Sequence, residues 1–137
     1  MTNEAVLMIE TDLPISMTCA EDAGIEKGTL LKIADPYTVS ASGSDEDFIG
    51  GIAAEEKISG DGKTKIAVYR RGIFRITASG SITCGDTVAS AGAVNKVKAS
   101  DATCVSSKTA GIALETAADT ETFLFELNPG VGVKAFA

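Results

Sequence analysis

The sequence predicts an all-β protein: a small β-barrel or β-sandwich of short strands, built from two similar β-units, with at most one short helix. Three observations predict it. Gly, Thr, Ser, Val and Ile recur along all 137 residues, with 14 glycines among them, a composition that suits short strands separated by turns. Several segments alternate apolar and polar residues, the period of a strand. No segment sustains a helical period. Hydrophobic residues make up 45% of the chain, enough for a real core; with aromatics at 5% and no Trp, that core is built mainly from Val, Ile, Leu and Ala.

The elements follow in order. Residues 1–23 form an acidic leader with Glu4, Glu10, Asp12, Glu21 and Asp22 and no base before Lys27. Its "AVLMIE" reads as a strand, either at the edge of the chain's own sheet or as an arm that adds a strand to another subunit. Pro14 limits any regular element there. Residues 24–137 read as a single β domain. "GIEKGTLLKI" (24–33) is a turn and an apolar strand, and "DPYTVSASGSDEDF" (35–48) a Pro turn, a short strand and an acidic loop. "IGGIAAEEKI" (49–58) follows. In "KTKIAVYRRGIFRITASG" (63–80), Ile66, Val68, Phe74 and Ile76 share one apolar parity, while Lys63, Lys65, Arg71 and Arg75 form a basic face. Gly72 in its middle marks a bulge or a bend. "SAGAVNKVKASDATCVSSKTA" (90–110) reads as one short helix or a long loop.

Part of the chain repeats. "IEKGTLL" (25–31) parallels "ITCGDTV" (82–88), and "GGIAAEEKISGDGKTKIAVY" (50–69) parallels "AGIALETAADTETFLFEL" (110–127). Gly28 then matches Gly85, Gly51 matches Gly111, and Ile66 and Val68 match Phe123 and Phe125. Two copies of a β-unit, about 24–69 and 81–127, are expected to pack about a pseudo-two-fold axis.

No motif carries catalytic chemistry, and the chain is expected not to be an enzyme. "SGDGKT" (59–64) ends like a phosphate-binding loop, but the position of that loop's first glycine holds Lys57. A β-alternating run follows where the loop needs a helix N-terminus, so the Asp-Gly pair marks a hairpin turn. With no His, a serine triad lacks its usual base. The consecutive acids Asp45, Glu46 and Asp47 lack the spacing that wraps calcium. Cys19, Cys84 and Cys104 suit neither zinc nor a disulfide framework and are expected as free thiols of a protein made in the cytosol. No cofactor or metal is expected. The net charge of −7 repels phosphate backbones, which argues against nucleic-acid binding. No apolar run is long enough for a membrane span, and the acidic N-terminus does not read as a signal peptide.

Charge is segregated. Residues 44–56 hold Asp45, Glu46, Asp47, Glu55 and Glu56 without a base, and residues 63–75 hold Lys63, Lys65, Arg70, Arg71 and Arg75 without an acid. These are two solvated faces of one domain, or the complementary halves of a head-to-tail contact between subunits.

Taken in order, "KGTLLKI" (27–33), "IGGIAAEEK" (49–57), "GDGKTKIAVYRRGIFRI" (60–76), "ITCGDTV" (82–88) and "AGIALETA" (110–117) resemble the capsid cement, or head decoration, proteins of tailed bacteriophages. The resemblance spans about residues 24–127. It implies a compact β fold, a homotrimer, and a structural role on the outer surface of an assembled capsid after synthesis in the host cytoplasm, with the major capsid protein as partner. It implies no catalytic residues. It also implies an N-terminal arm that pairs with a capsid strand, for which residues 2–18, with Val6, Leu7, Met8 and Ile9, are the candidates. Lys63, Lys65, Arg71 and Arg75 are the candidates for a subunit or capsid interface. The alternatives are another phage structural module, of tail or baseplate, and a small ligand-binding β-barrel.

Overall fold

The computed structural model describes residues 4–92, 95–101 and 104–132. In chain order the strands are β1 (Val6–Ile9), β2 (Ile15–Thr18), β3 (Leu30–Asp35), β4 (Thr38–Ala41), β5 (Ile49–Ala53), β6 (Lys65–Tyr69), β7 (Gly72–Ala78), β8 (Thr87–Ser90), β9 (Lys96–Ala99), β10 (Thr109–Ala113) and β11 (Thr122–Leu127). One 3₁₀ turn, Ser106–Lys108, precedes β10. Strands β2 to β6 close into a first barrel in the order β2-β4-β3-β5-β6. Strands β7 to β11 close into a second, β7-β11-β10-β8-β9, and β1 lies outside that ring against β7.

The two barrels share one pairing scheme. In each, the first strand pairs antiparallel with the fifth and parallel with the third. The second strand pairs with both the third and the fourth, and the fourth with the fifth. The fold is therefore all-β, made of two similar β-units. The matched glycines have matched reasons. Gly28 and Gly85 both take positive φ, 86° and 94°, and donate their N–H to Ala53 and Ala113 at 2.9 and 2.8 Å. A Cβ on Gly51 would run into the Tyr69 carbonyl, and one on Gly111 into the Glu126 carbonyl. Strands four and five of each barrel thus approach too closely for any side chain.

The structure corrects three expectations. Residues 63–80 are two strands in different barrels, because the chain bends at Arg70 and Arg71 and passes from one barrel to the other. The apolar parity survives the bend, but Ile66 and Val68 enter the first core and Phe74 and Ile76 the second. The stretch 90–110, read as one short helix or a long loop, does hold the 3₁₀ turn Ser106–Lys108, but it also contains β9, which a single buried Val97 flanked by two lysines anchors. The leader also supplies β2, whose Met17, with Cys19 just beyond it, is buried in the first core; the chain enters the barrel at Ile15, ahead of residue 24.

Period-two alternation lets β3 serve two cores. Leu31 points into the first barrel with Val39, Ile66 and Val68, while its neighbour Leu30 joins Phe74, Phe123, Phe125 and Leu127 in the larger core between and within the barrels. Strand β5 is buried along its whole length because Ile49 and Ile52 face that larger core and Ala53 the smaller. Each such buried aliphatic or aromatic side chain contributes roughly 1.5–3 kcal/mol relative to exposure.

Polar contacts seam the barrels together. The buried Asn95 side chain accepts the Leu30 N–H at 2.8 Å. The Ser90 hydroxyl accepts the Asp47 N–H at 2.7 Å and donates to the Ser44 carbonyl at 3.0 Å. Lys98 meets Asp45 at 2.7 Å and Glu46 at 3.0 Å. Burial alone would lower the Lys98 pKa, but hydrogen bonds and attraction from Asp45 and Glu46 outweigh it and hold the ammonium above the ordinary lysine range.

Two predictions follow from this packing. Gly111→Ala should cost at least about 2 kcal/mol, since the neighbouring backbone must move; a urea midpoint unchanged from wild type would contradict the close approach of β10 and β11. Lys98→Met should cost about 1–3 kcal/mol, because it strips a partly buried cation from Asp45, Glu46 and the more distant Asp101. A raised lysine pKa stabilises the fold fully below the unfolded value and is lost only as pH climbs through the folded one. The gap between Lys98→Met and wild type should therefore stay constant from about pH 6 to 9 and close only in strong alkali. A gap that closes near neutrality would exclude the ion pairs as its source.

Candidate interaction surface

The leader strand β1 sits on the edge of β7 in the register Val6↔Arg75 and Leu7↔Phe74, then Ile9↔Ile73 after a shift at Met8. Both ends are tied. Ala5 N–H donates to the Gly28 carbonyl at 3.0 Å, and the Tyr69 hydroxyl donates to the Glu10 carboxylate at 2.9 Å. That bond, followed by burial, raises the Tyr69 pKa. Only Leu7 turns toward the core. Val6, Met8 and Ile9 are 47, 51 and 56% exposed, an apolar row on a strand whose flanks carry Glu4, Glu10 and Asp12. A cavity of about 340 Å³ lies at the junction of the barrels beside β1, with Leu7, Ile52 and Phe74 on its apolar side and Glu4 and Lys27 among its polar lining.

The basic candidates do not share one face. Lys63 and Lys65 belong to the first barrel, where Lys65 opposes Thr18 of β2; both are exposed. Arg71 and Arg75 belong to the second. Arg71 donates to the Asn128 side chain at 3.1 Å, and Arg75 meets Glu115 at 3.5 Å. Arg75 is nevertheless next to the arm, as the register partner of Val6. Asp45 and Glu46 already meet Lys98 of the same chain.

"SGDGKT" forms a turn around Asp61, and the residue that rules out a phosphate loop has its own task. Lys57 is buried and donates to the Glu21 and Ala23 carbonyls at 2.7 and 3.2 Å, the Ile58 carbonyl at 3.3 Å and the Asp61 carboxylate at 3.3 Å. It ties the end of the leader to the hairpin tip. The hydrogen bond from the Lys63 N–H lowers the Asp61 pKa most, and the one from Lys57 adds to it. The second unit has Ala117 at this bridge position, so sequence matching between copies marks Lys57 as different without showing its bonds. Cys19, Cys84 and Cys104 are free thiols, and burial raises the pKa of Cys19 and Cys104, which makes them poor nucleophiles.

The arrangement is a surface of exposed strand edges, apolar rows and scattered charge around two filled barrels, suited to protein contact. Comparison with known proteins agrees. The fold is similar to the N base of the head fiber protein gp8.5 of bacteriophage phi29, with a TM-score of 0.59 and 16% identity over 90% of this chain and 100% of that one. No curated protein matches the chain. The family model of the phage cement proteins matches residues 9–127, from the last residue of β1 to the end of β11. The chain therefore belongs to the phage cement protein family, structural proteins of the phage head.

Proposed function

We propose that this protein binds the outer surface of an assembled capsid as a homotrimer and stabilises the shell, after synthesis in the host cytoplasm. The family match over residues 9–127 carries the reading. The partner is the major capsid protein. The exposed row Val6, Met8 and Ile9 on β1 supplies an apolar contact, with Leu7 holding the strand to its own barrel. Lys63 and Lys65 face outward on the first barrel; on the second, Arg75 flanks β1 and Arg71 lies beside Asn128. Each contact is modest. Three copies linked in a trimer multiply them, because the second and third sites bind at high effective concentration. Stabilisation then comes from bridging neighbouring capsid subunits, with no chemical step.

Purified protein should co-sediment with undecorated, expanded capsids and raise the temperature at which they rupture, and light scattering should give three subunits. Absence of co-sedimentation across a range of concentrations would sink the proposal. Removal of residues 1–13 should weaken binding at least about tenfold while both barrels stay folded, since β2 begins at Ile15. Unchanged affinity would take β1 out of the interface. A cut through Thr18 would also delete β2 and open the first barrel.

A further inference from the structure

The two-unit symmetry shows an edge that is filled in one barrel and open in the other. Val68 of β6 corresponds to Phe125 of β11, so their partners in the first strands correspond too: Ile15 to Phe74, Ser16 to Arg75 and Thr18 to Thr77. Thr77 and Ala78 of β7 pair with β9, and residues 73–75 of the same edge pair with β1. Thr18 of β2 likewise pairs with β4, but Ile15–Met17 meet no strand on that side among the described residues. The vacancy shows in burial. Phe74, opposite Leu7 of β1, is 1% exposed, whereas Ile15 is 40% exposed, and Leu13, two residues before it, is 77% exposed.

The backbone at this edge is set to pair. Cys19 N–H bonds to Thr64 on the β6 side and Thr18 N–H to Tyr37 on the β4 side, each at 2.9 Å. Alternation then points the N–H and C=O of Ser16 at the open edge. Two positions before it, Pro14 offers a carbonyl and no donor, which limits the length of any added strand.

We infer that the β2 edge at Pro14–Ser16 is a second strand-docking seat and that an extended segment of a capsid subunit fills it, with an apolar residue over Ile15. This rests on the proposed capsid role. The equivalent seat on β7 shows what such an edge accepts: a short extended strand with one inward apolar side chain. The chain's own β1 is already seated and tied at Gly28 and Tyr69, so a second copy would have to surrender those bonds to supply it. Lys63 and Lys65, next along the first barrel, are exposed and make no ion pair among the described residues, which favours a segment bearing carboxylates.

Ser16→Pro tests the seat, because it removes an N–H directed away from β6; Ile15→Lys tests it independently by placing a charge where the apolar side chain would lie. Both should fold as wild type and bind expanded capsids about tenfold or more weakly. Amide exchange at Ser16 should be fast in the free protein and slow on capsids. If wild type co-sediments while Ile15→Lys binds equally well and Ser16 stays fast, the seat is overturned and the cement role stands. If Ser16 is protected in the free protein, its occupant is β1 or a second copy, and the capsid strand is excluded. If wild type does not co-sediment, the cement role itself fails and takes this inference with it.

Discussion

Barrel closure through a short parallel contact between first and third strands is the constraint on which the other features depend. Each barrel is a ring of five strands, and the ring shuts only where Thr18 meets Thr38 in one and where Thr77 and Ala78 meet Lys96 and Val97 in the other. Such a contact uses only the last residues of the first strand. The rest of that strand's edge is left outside the ring, with backbone donors and acceptors that need a partner or water. In the second barrel β1 covers the remainder and Leu7 seals Phe74. In the first barrel Ile15 and Ser16 are exposed, and no strand among the described residues covers their edge. Both the seated arm and the open edge thus arise from one way of closing a small barrel.

The same alternation that makes barrels also joins them. Neighbouring residues on β3 and β5 face different cores, so the first barrel cannot lose these strands without also exposing the larger core it shares with the second. The seam of Asn95, Ser90 and Lys98 then fixes how the units meet, with polar groups bonded across the junction. Shared core residues and the bonded seam thus join the two barrels into one packed body.

Much of this was legible in the sequence. The glycine matches found the two units because the same backbone approach recurs at Gly51 and Gly111. The alternation of Ile66, Val68, Phe74 and Ile76 identified inward residues correctly. Alternation states that a face is buried, however, and not which core buries it, so the change of barrel at Arg70–Arg71 was invisible. Strand β9 was missed because its four residues bury only Val97. Strand β2 was hidden in an acidic leader, since its pairing with β6 spans about fifty residues of chain. Lys57 and Lys98 gave no local signal, as their partners come from distant turns. The basic stretch read as one surface because a linear pattern cannot show that Lys63 and Lys65 belong to a different barrel from Arg71 and Arg75. The exposed β1 row was legible as a strand, but whether it lay on its own sheet was a question of tertiary pairing.

The most direct test is a cryo-EM reconstruction of the decorated capsid at a resolution that separates strands. Three copies are expected around each site on the outer surface, with capsid density running as an added strand beside Pro14–Ser16 and β1 still on β7. Density on the inner surface, or a first-barrel edge facing open solvent in every copy, would contradict it.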